Sequence, residues 1–449
     1  MTTLPHMVGR QVLEVHAQAS HAEALSLQRA LAGINAQALV PAIAAALDQC
    51  DPGSGYLQID RLEIDLGTLP RERLEDELPG ALQRALVRAV RELGGAVAAQ
   101  AAPGEGVARL QGASQRLDDV LAYFLANGTL PSSFALPQQA NFEQTLLAGW
   151  AGQAQPPSAQ LRAALARAAA RGRLVRQFSG HLLNALLARL SGDPLAASKV
   201  NEFAARYATR WAIPERESRQ RVWDAAFNIV REQRQAALAS LLEQAFEDDA
   251  GGLAPRPSRA PAVDSRSSPA PVDSVGGAVQ AHPEAAEGIF VNNAGLVLLH
   301  PFLGSLFEQL GVAGGDGLLA PDRALALLHY LWSGAQDAPE YELALPKVLC
   351  GLPLMAGPTG REQLTEVDLA AACELLEAVI EHWSALRNTS VDGLRGSFLC
   401  RPGKLRLSDT GWRLQVERSA FDILLEHLPW ALSPIRLPWM RSLLWVEWQ

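Results

Sequence analysis

The sequence predicts a predominantly helical α+β protein, and three observations carry that prediction. Two segments near the start, residues 11–18 and 56–66, alternate apolar and polar residues as half-buried strands do. Residues 115–247 carry apolar side chains at helical spacing, broken at turn-forming residues such as Asn127-Gly128, Pro156-Pro157 and Pro214. From residue 286 the texture changes. Seven of the ten tryptophans lie there, and Leu405–Leu407 and Trp412–Val416 flank a Ser408-Asp-Thr-Gly411 turn as the arms of a β-hairpin would.

Residues 1–100 read as a small N-terminal α+β unit. Leu13, Val15 and Ala17 share one face of a first strand. Ser20 and Glu23 have capping-box spacing and open an Ala- and Leu-rich helix to about Leu31, with a second short helix over 38–48. In the second strand the apolar phase runs Leu57 and Ile59, then Leu62, Ile64 and Leu66. A β-bulge at Asp60-Arg61 would account for the one-residue slip. A helix follows from Glu72 to Leu93, where Gly94-Gly95 is the expected stop.

The helical region, 115–248, divides into segments at about 116–127, 140–150, 158–170, 174–190, 196–209 and 215–246. Phe178, Leu182 and Leu186, with Leu183, Leu187 and Leu190, form a broad stripe suited to bundle packing. Arg162, Arg167, Arg171, Arg173 and Arg176 alternate with alanines, which predicts a solvated face. Residues 249–286 are rich in Pro, Ser, Gly and Ala and contain no aromatic side chain. Such a segment buries too little to offset its ordering entropy and reads as a flexible linker.

Residues 287–449 form the Trp-rich C-terminal domain. Expected there are a strand at Phe290-Val291, a turn at Asn292–Gly295 and an apolar helix Leu296–Leu310 bent at Pro301. Helices at 321–333 and 366–387 follow, then the hairpin with Trp412, Leu414 and Val416 on its inner face. A short amphipathic stretch, Phe421–His427, and a closing strand, Leu443–Trp448, complete it.

Composition excludes several functions. A net charge of −9 argues against a surface that tracks nucleic-acid phosphates. No stretch approaches ~20 uninterrupted apolar residues, and the first residues lack a basic segment leading into an apolar one. The expectation is therefore a chain made in the cytoplasm without a membrane span. The four cysteines are far apart with no CxxC and read as reduced thiols.

No catalytic, cofactor-binding or metal residues are assigned, and no enzyme is expected. Gly314-Gly-Asp-Gly317 lacks the lysine and hydroxyl residue of a phosphate loop, and HExxH and GxSxG are absent. Cys350, with His382 or His329 as base and Asn388 as orienting group, is the sharpest nucleophile candidate. Its neighbours Val348, Leu349, Leu352 and Leu354 would raise its pKa instead, so a buried structural cysteine is expected. Cys350, Cys373, Cys400 and His382 contain no short-spaced pair to nucleate a zinc site. Asp60, Glu63 and Asp65 lack the Gly-centred loop of a calcium site and read as a solvated strand face.

The candidate protein-contact residues are Leu428-Pro429-Trp430 and Leu437-Pro438-Trp439. Proline stiffens the chain before each indole, and rigid aromatic anchors lose little entropy on binding. The same rings also suit a core, because an indole buries a large apolar area with one N–H to satisfy.

Several stretches then point to a family. Asn293-Ala-Gly295-Leu-Val-Leu-Leu-His300-Pro301-Phe-Leu303, with Leu306-Phe307, resembles the most distinctive stretch of the contractile injection system tape measure family. So do Pro346-Lys347-Val-Leu-Cys350-Gly351-Leu-Pro353, Val379-Ile-Glu-His382-Trp383, Phe421-Asp-Ile-Leu-Leu425 and the two Leu-Pro-Trp motifs. Ile59-Asp-Arg-Leu-Glu-Ile-Asp-Leu-Gly67 is similar to that family's early strand. The resemblance implies a non-enzymatic assembly component of phage-tail-like contractile particles, acting in tube-length control or in tube and baseplate assembly. It also implies tube, baseplate or spike proteins as partners, and retention in the released particle. A chaperone-like adaptor for a baseplate or cargo protein is the alternative. As a gauge the chain is short, since a helix over 215–246 would reach only ~48 Å.

Overall fold

The computed structural model describes residues 6, 8, 11–18, 20–50, 55–59, 61–99, 108–134, 136, 141–152, 156–232, 238–250, 282, 284–315, 317–358, 363–386 and 388–448. By packing, the chain divides into two compact units, residues 1–119 with 133–155 and residues 120–132 with 156–449.

In the first unit, α1 (His21–Ile34) and α2 (Val40–Asp48) form one helical run joined by a wider π-type turn at Asn35–Leu39. The expected capping box is present, with Ser20 N donating to a Glu23 carboxylate oxygen at 2.9 Å. The expected strand at 11–18 does not form, and those residues are exposed. Alternation supplies a face, but a strand also needs a partner for its N–H and C=O groups.

β1 (Gly55–Ile59) does find one. It pairs antiparallel with β2 (Ala108–Gly112), Leu57 opposite Leu110. Because β1 ends at Ile59, the slip read as a β-bulge is the passage from strand to irregular chain. Leu62 and Ile64 still turn inward, onto the cluster of Ala46, Leu86 and Val90. Asp60 lies outside the described residues, while Glu63 pairs with Arg61 and Asp65 accepts from Gly67 N at 2.8 Å.

The next helix, α3 (Leu74–Ala99), runs through Gly94-Gly95. A glycine stops a helix when it takes a positive φ, and neither of these does. α3 presents Leu78, Leu86 and Val90 to Ile34, Leu39 and Ala46 of the first helical run. That run, His21–Asp48, is 28 residues long and is apolar enough to cross a membrane by length and composition alone. Asn35 and Gln37 interrupt it, which is why the sequence reading passed over it. α4 (Ala113–Asn127) begins in this unit, and α5 (Phe142–Trp150) completes it, its Trp150 donating to Asp118 at 2.9 Å.

The second unit opens with helices. They are α6 (Ala159–Ala164), α7 (Ala168–Gln177), α8 (Gly180–Ser191), α9 (Ala196–Trp211), α10 (Glu215–Val230) and α11 (Leu238–Ala250). Three expected helices are broken. Ser179 caps α8 through His181 N at 3.1 Å and so splits 174–190. The 158–170 segment breaks at 165–167, and 215–246 ends its first helix at Val230. Residues 233–237 lie outside the described residues. The expected leucine stripe on α8 is buried throughout.

The arginine cluster is not a solvated face. Arg171 and Arg173 are buried, and Arg171 spans the break between α6 and α7. Its Nη1 donates to the freed carbonyls of Leu165 and Ala166 at 3.0 Å, while Nε and Nη2 reach the Asp224 carboxylate at 3.1 Å. Helical spacing shows where a charge sits on a helix, not which chain termini lie beyond it.

Residues 251–281 and 283, most of the expected linker, lie outside the described residues. Its last residues are packed. His282 and Ala285 are buried, and Ala285 O accepts from Leu407 N at 2.7 Å.

The Trp-rich segment contributes β3 (Ile289–Val291), α12 (His300–Gln309), β4 (Ala313–Gly314), β5 (Gly317–Leu318), α13 (Pro321–Ser333), α14 (Ala344–Leu349), α15 (Glu366–His382), α16 (Val391–Leu394), β6 (Gly403–Ser408), β7 (Gly411–Val416) and β8 (Leu444–Trp448). The main sheet has the order β3-β6-β7-β8, antiparallel except for the parallel β7–β8 pair. β6 and β7 are the expected hairpin. One face of the sheet, with Ile289, Leu405, Leu414, Val416 and Leu444, is buried in the main core. Pro301 does not bend a long helix. A 3₁₀ segment, Ala294–Leu299, precedes it, and Pro301 sits in the first turn of α12, where its missing N–H costs nothing.

Replacing Arg171 by Ala leaves Asp224 and two carbonyls without their partner, so a loss of ~3 kcal/mol is expected in denaturant unfolding. The exposed Arg167→Ala is expected to stay within ~0.5 kcal/mol.

Candidate functional site

The two Leu-Pro-Trp motifs lie in the second unit, with their prolines exposed and their indoles turned inward. Trp439 is 9% exposed, stacks on Phe307 at 5.3 Å between centroids, and donates its Nε1–H to Leu349 O at 2.8 Å. Trp430 is half-buried, meets Phe302 edge-on at 5.2 Å and donates to Leu298 O at 3.1 Å. Leu437 is buried and Leu428 half-buried. In each motif the N–H, the one polar demand of a buried indole, is met by a carbonyl of another motif.

The stretch around Cys350 receives the second tryptophan. Gly351 has φ +66, and a Cβ there would lie 2.8 Å from Trp439 O. Only glycine tolerates both that conformation and that approach. Cys350 is buried among apolar side chains, and burial pushes its thiol far above the ordinary range. Neither candidate base serves it. His329 Nε2 bonds the Glu342 carboxylate at 2.8 Å, and His382 Nδ1 meets Ala378 O at 2.7 Å. Among the described residues, no three His, Cys, Asp or Glu side chains converge as metal ligands.

Lys347 is the residue whose surroundings are least expected. It is fully buried, and Nζ donates to Glu340 Oε1 at 2.9 Å and to Leu354 O at 2.8 Å. The other oxygen of Glu340 accepts from Arg173 Nε at 2.8 Å. Arg173 also donates to Leu125 O and Met355 O, at 2.5 and 2.9 Å. Burial pushes the Lys347 ammonium below its usual range, and Glu340 opposes that shift. Gly128 makes room for the carboxylate: a Cβ there would stand 2.6 Å from Glu340 Oε1. One buried carboxylate thus joins α7 to α14. Sequence reasoning missed this triad because its arginine lies 167 residues from its glutamate.

The remaining motif residues also bond and pack within the second unit. Asn293 donates to Glu342 O at 2.8 Å, and Gly295 lies so close to Phe398 O that a Cβ would fall 1.7 Å from it. His300 Nδ1 meets Val297 O at 2.9 Å, with burial lowering its pKa against that bond, and Pro301 is exposed. Trp383 is fully buried, donates to Leu424 O at 3.1 Å and packs on Phe398 at 4.8 Å. His382 is exposed, its ring 5.8 Å from Phe302.

A family model described as "contractile injection system tape measure protein" matches residues 5–448, nearly the whole chain. The chain belongs to that family. No curated protein and no solved structure matches it. Membership gives the tape measure chain a structural role in the assembly of contractile injection systems and associates it with their tube components.

Glu340→Ala would leave Lys347 and Arg173 buried without their shared anion. A loss of ~3–5 kcal/mol is expected in denaturant unfolding of the full chain. Lys347→Met leaves Glu340 bonded to Arg173 and is expected to cost less.

His282 gives a pH dependence. Its Nε2 meets Thr129 Oγ1 at 2.7 Å, the Tyr123 ring stands edge-on, and Glu284 N donates to its Nδ1 at 3.3 Å. Burial first, then the charge of Lys347, depress its pKa from 6.5 to about 4. The unfolded chain therefore binds this proton more readily, and the contribution of His282 to stability is lost as pH falls from 6.5 towards 4. Thermal melts of the wild type and His282→Gln should converge across that window and differ by a constant above pH 7.

Proposed function

We propose that this chain acts as a folded assembly component that contacts tube, baseplate or spike proteins, made in the cytoplasm and retained in the released particle. The observation that carries the reading is the family match over residues 5–448. The packing supports a folded component over an extended gauge. Among the described residues the longest single α-helix is α3, with 26 residues, which spans only ~39 Å. The family stretches between residues 293 and 439 pack into one core, which is the work of a globular element.

Mass spectrometry of intact purified particles tests retention. The tape measure chain should be present at fixed stoichiometry, whereas a chaperone that leaves before completion would be missing. Literal length control has its own readout. Inserting or deleting residues within 251–281 should leave tube length unchanged in electron micrographs if the folded parts do the work. A proportional change in tube length would overturn that part of the reading.

A further inference from the structure

The main sheet is buried on one face only, and the register places a distinct set of side chains on the other. One row across the strands reads Phe290, Lys404, Gln415 and Glu447, and the next reads Arg406, Arg413 and Trp445. Neighbours in a row stand ~5 Å apart. Phe290 is 43% and Trp445 36% exposed, and they occupy the two outer strands of the sheet.

The charges on this face are unequal. Arg413 is paired with Glu447 at 3.0 Å. Lys404 lies 5.1 Å from the Phe290 ring centroid and feels Glu284 and Glu287. Arg406 stands between these two cations, exposed, with no ion pair among the described residues. Next to it in the strip are Arg413 and Trp445. A chain of net charge −9 thus carries a positive corner beside an exposed indole. At the other end, a shallow cleft of about 320 Å³ opens between Phe290, Lys404 and Gln415.

We infer that this open face binds an acidic segment of another particle protein, whose carboxylates meet Arg406 and Arg413 while an apolar side chain covers Trp445. The occupant is argued from charge complementarity, and the inference rests on the reading that the chain works by contacting particle proteins. Glu447, Glu284 and Glu287 disfavour a nucleic acid, because a continuous phosphate chain would meet their carboxylates. Discrete carboxylates can be placed at Arg406, which has no ion pair among the described residues, and at Arg413, and can form bidentate pairs with the guanidinium groups.

Two measurements on the full chain test this. In the first, p-benzoylphenylalanine replaces Trp445 in cells that make particles, and cross-linked peptides from purified particles are sequenced. A cross-link to an Asp/Glu-rich peptide of a particle protein is expected. Cross-links to nucleic acid, to a second copy of this chain or to no protein would overturn the inference. In the second, Arg406→Gln/Arg413→Gln, which adds no carboxylate beside Glu447, should melt close to the wild type yet lower particle yield at least tenfold. The control Arg216→Glu/Arg219→Glu, on exposed positions of α10, should leave the yield unchanged. A normal yield from the Arg406/Arg413 variant, in cells where deleting the gene abolishes particles, would overturn the docking face and leave the assembly reading intact. Normal particles after deletion would instead remove the assembly reading itself.

Discussion

The second unit depends on one buried carboxylate. Glu340 is 1% exposed and sits between Arg173 and Lys347, both of them buried. Desolvating such groups is costly, and three carbonyls, Leu125, Leu354 and Met355, take further hydrogen bonds from the two cations. The result is directional in a way apolar packing is not. Leucines would accept many relative placements of α7 and α14, whereas two cations on one carboxylate accept very few. Gly128 at φ +79 belongs to the same constraint, since any side chain there would occupy the space of the carboxylate.

The stretches of the Trp-rich segment that carry the family resemblance touch one another. Trp439 donates to the carbonyl preceding Cys350, and Gly351 makes way for the backbone of Trp439. Trp430 donates to Leu298, and Trp383 to Leu424. Asp422, in the Phe421–Leu425 stretch, receives two hydrogen bonds from Arg401 and closes a capping box with Ser419. A set of motifs scattered over more than a hundred residues is therefore one piece of packing. The indole N–H groups of Trp383, Trp430 and Trp439 all meet backbone carbonyls, which fits a protein whose work is shape and contact.

Much of this was legible along the chain, and the reasons it failed elsewhere are local. The hairpin, α13, α9 and the leucine stripe of α8 were readable because periodicity, turn residues and burial agree there. The strand at 11–18 was misread because pairing is not written in one segment. Helix ends were misjudged where a serine cap lay inside an apolar pattern, at Ser179, or where glycines kept helical angles, at Gly94-Gly95. The arginines and Lys347 were opaque for a different reason. Their partners come from other parts of the chain, and no spacing rule links residue 173 to residue 340.

That separation has its own consequence. Bringing Arg173 to Glu340 closes a loop of 167 residues, and the entropy of closing it grows only with the logarithm of its length. Doubling the loop would cost ~0.6 kcal/mol, less than the removal of a single helix cap. The spacing between the helical segment and the Trp-rich segment is thus nearly neutral for stability. Lineages can lengthen or trim the Pro- and Ser-rich stretch between them while the clasp that joins the two segments stays the same.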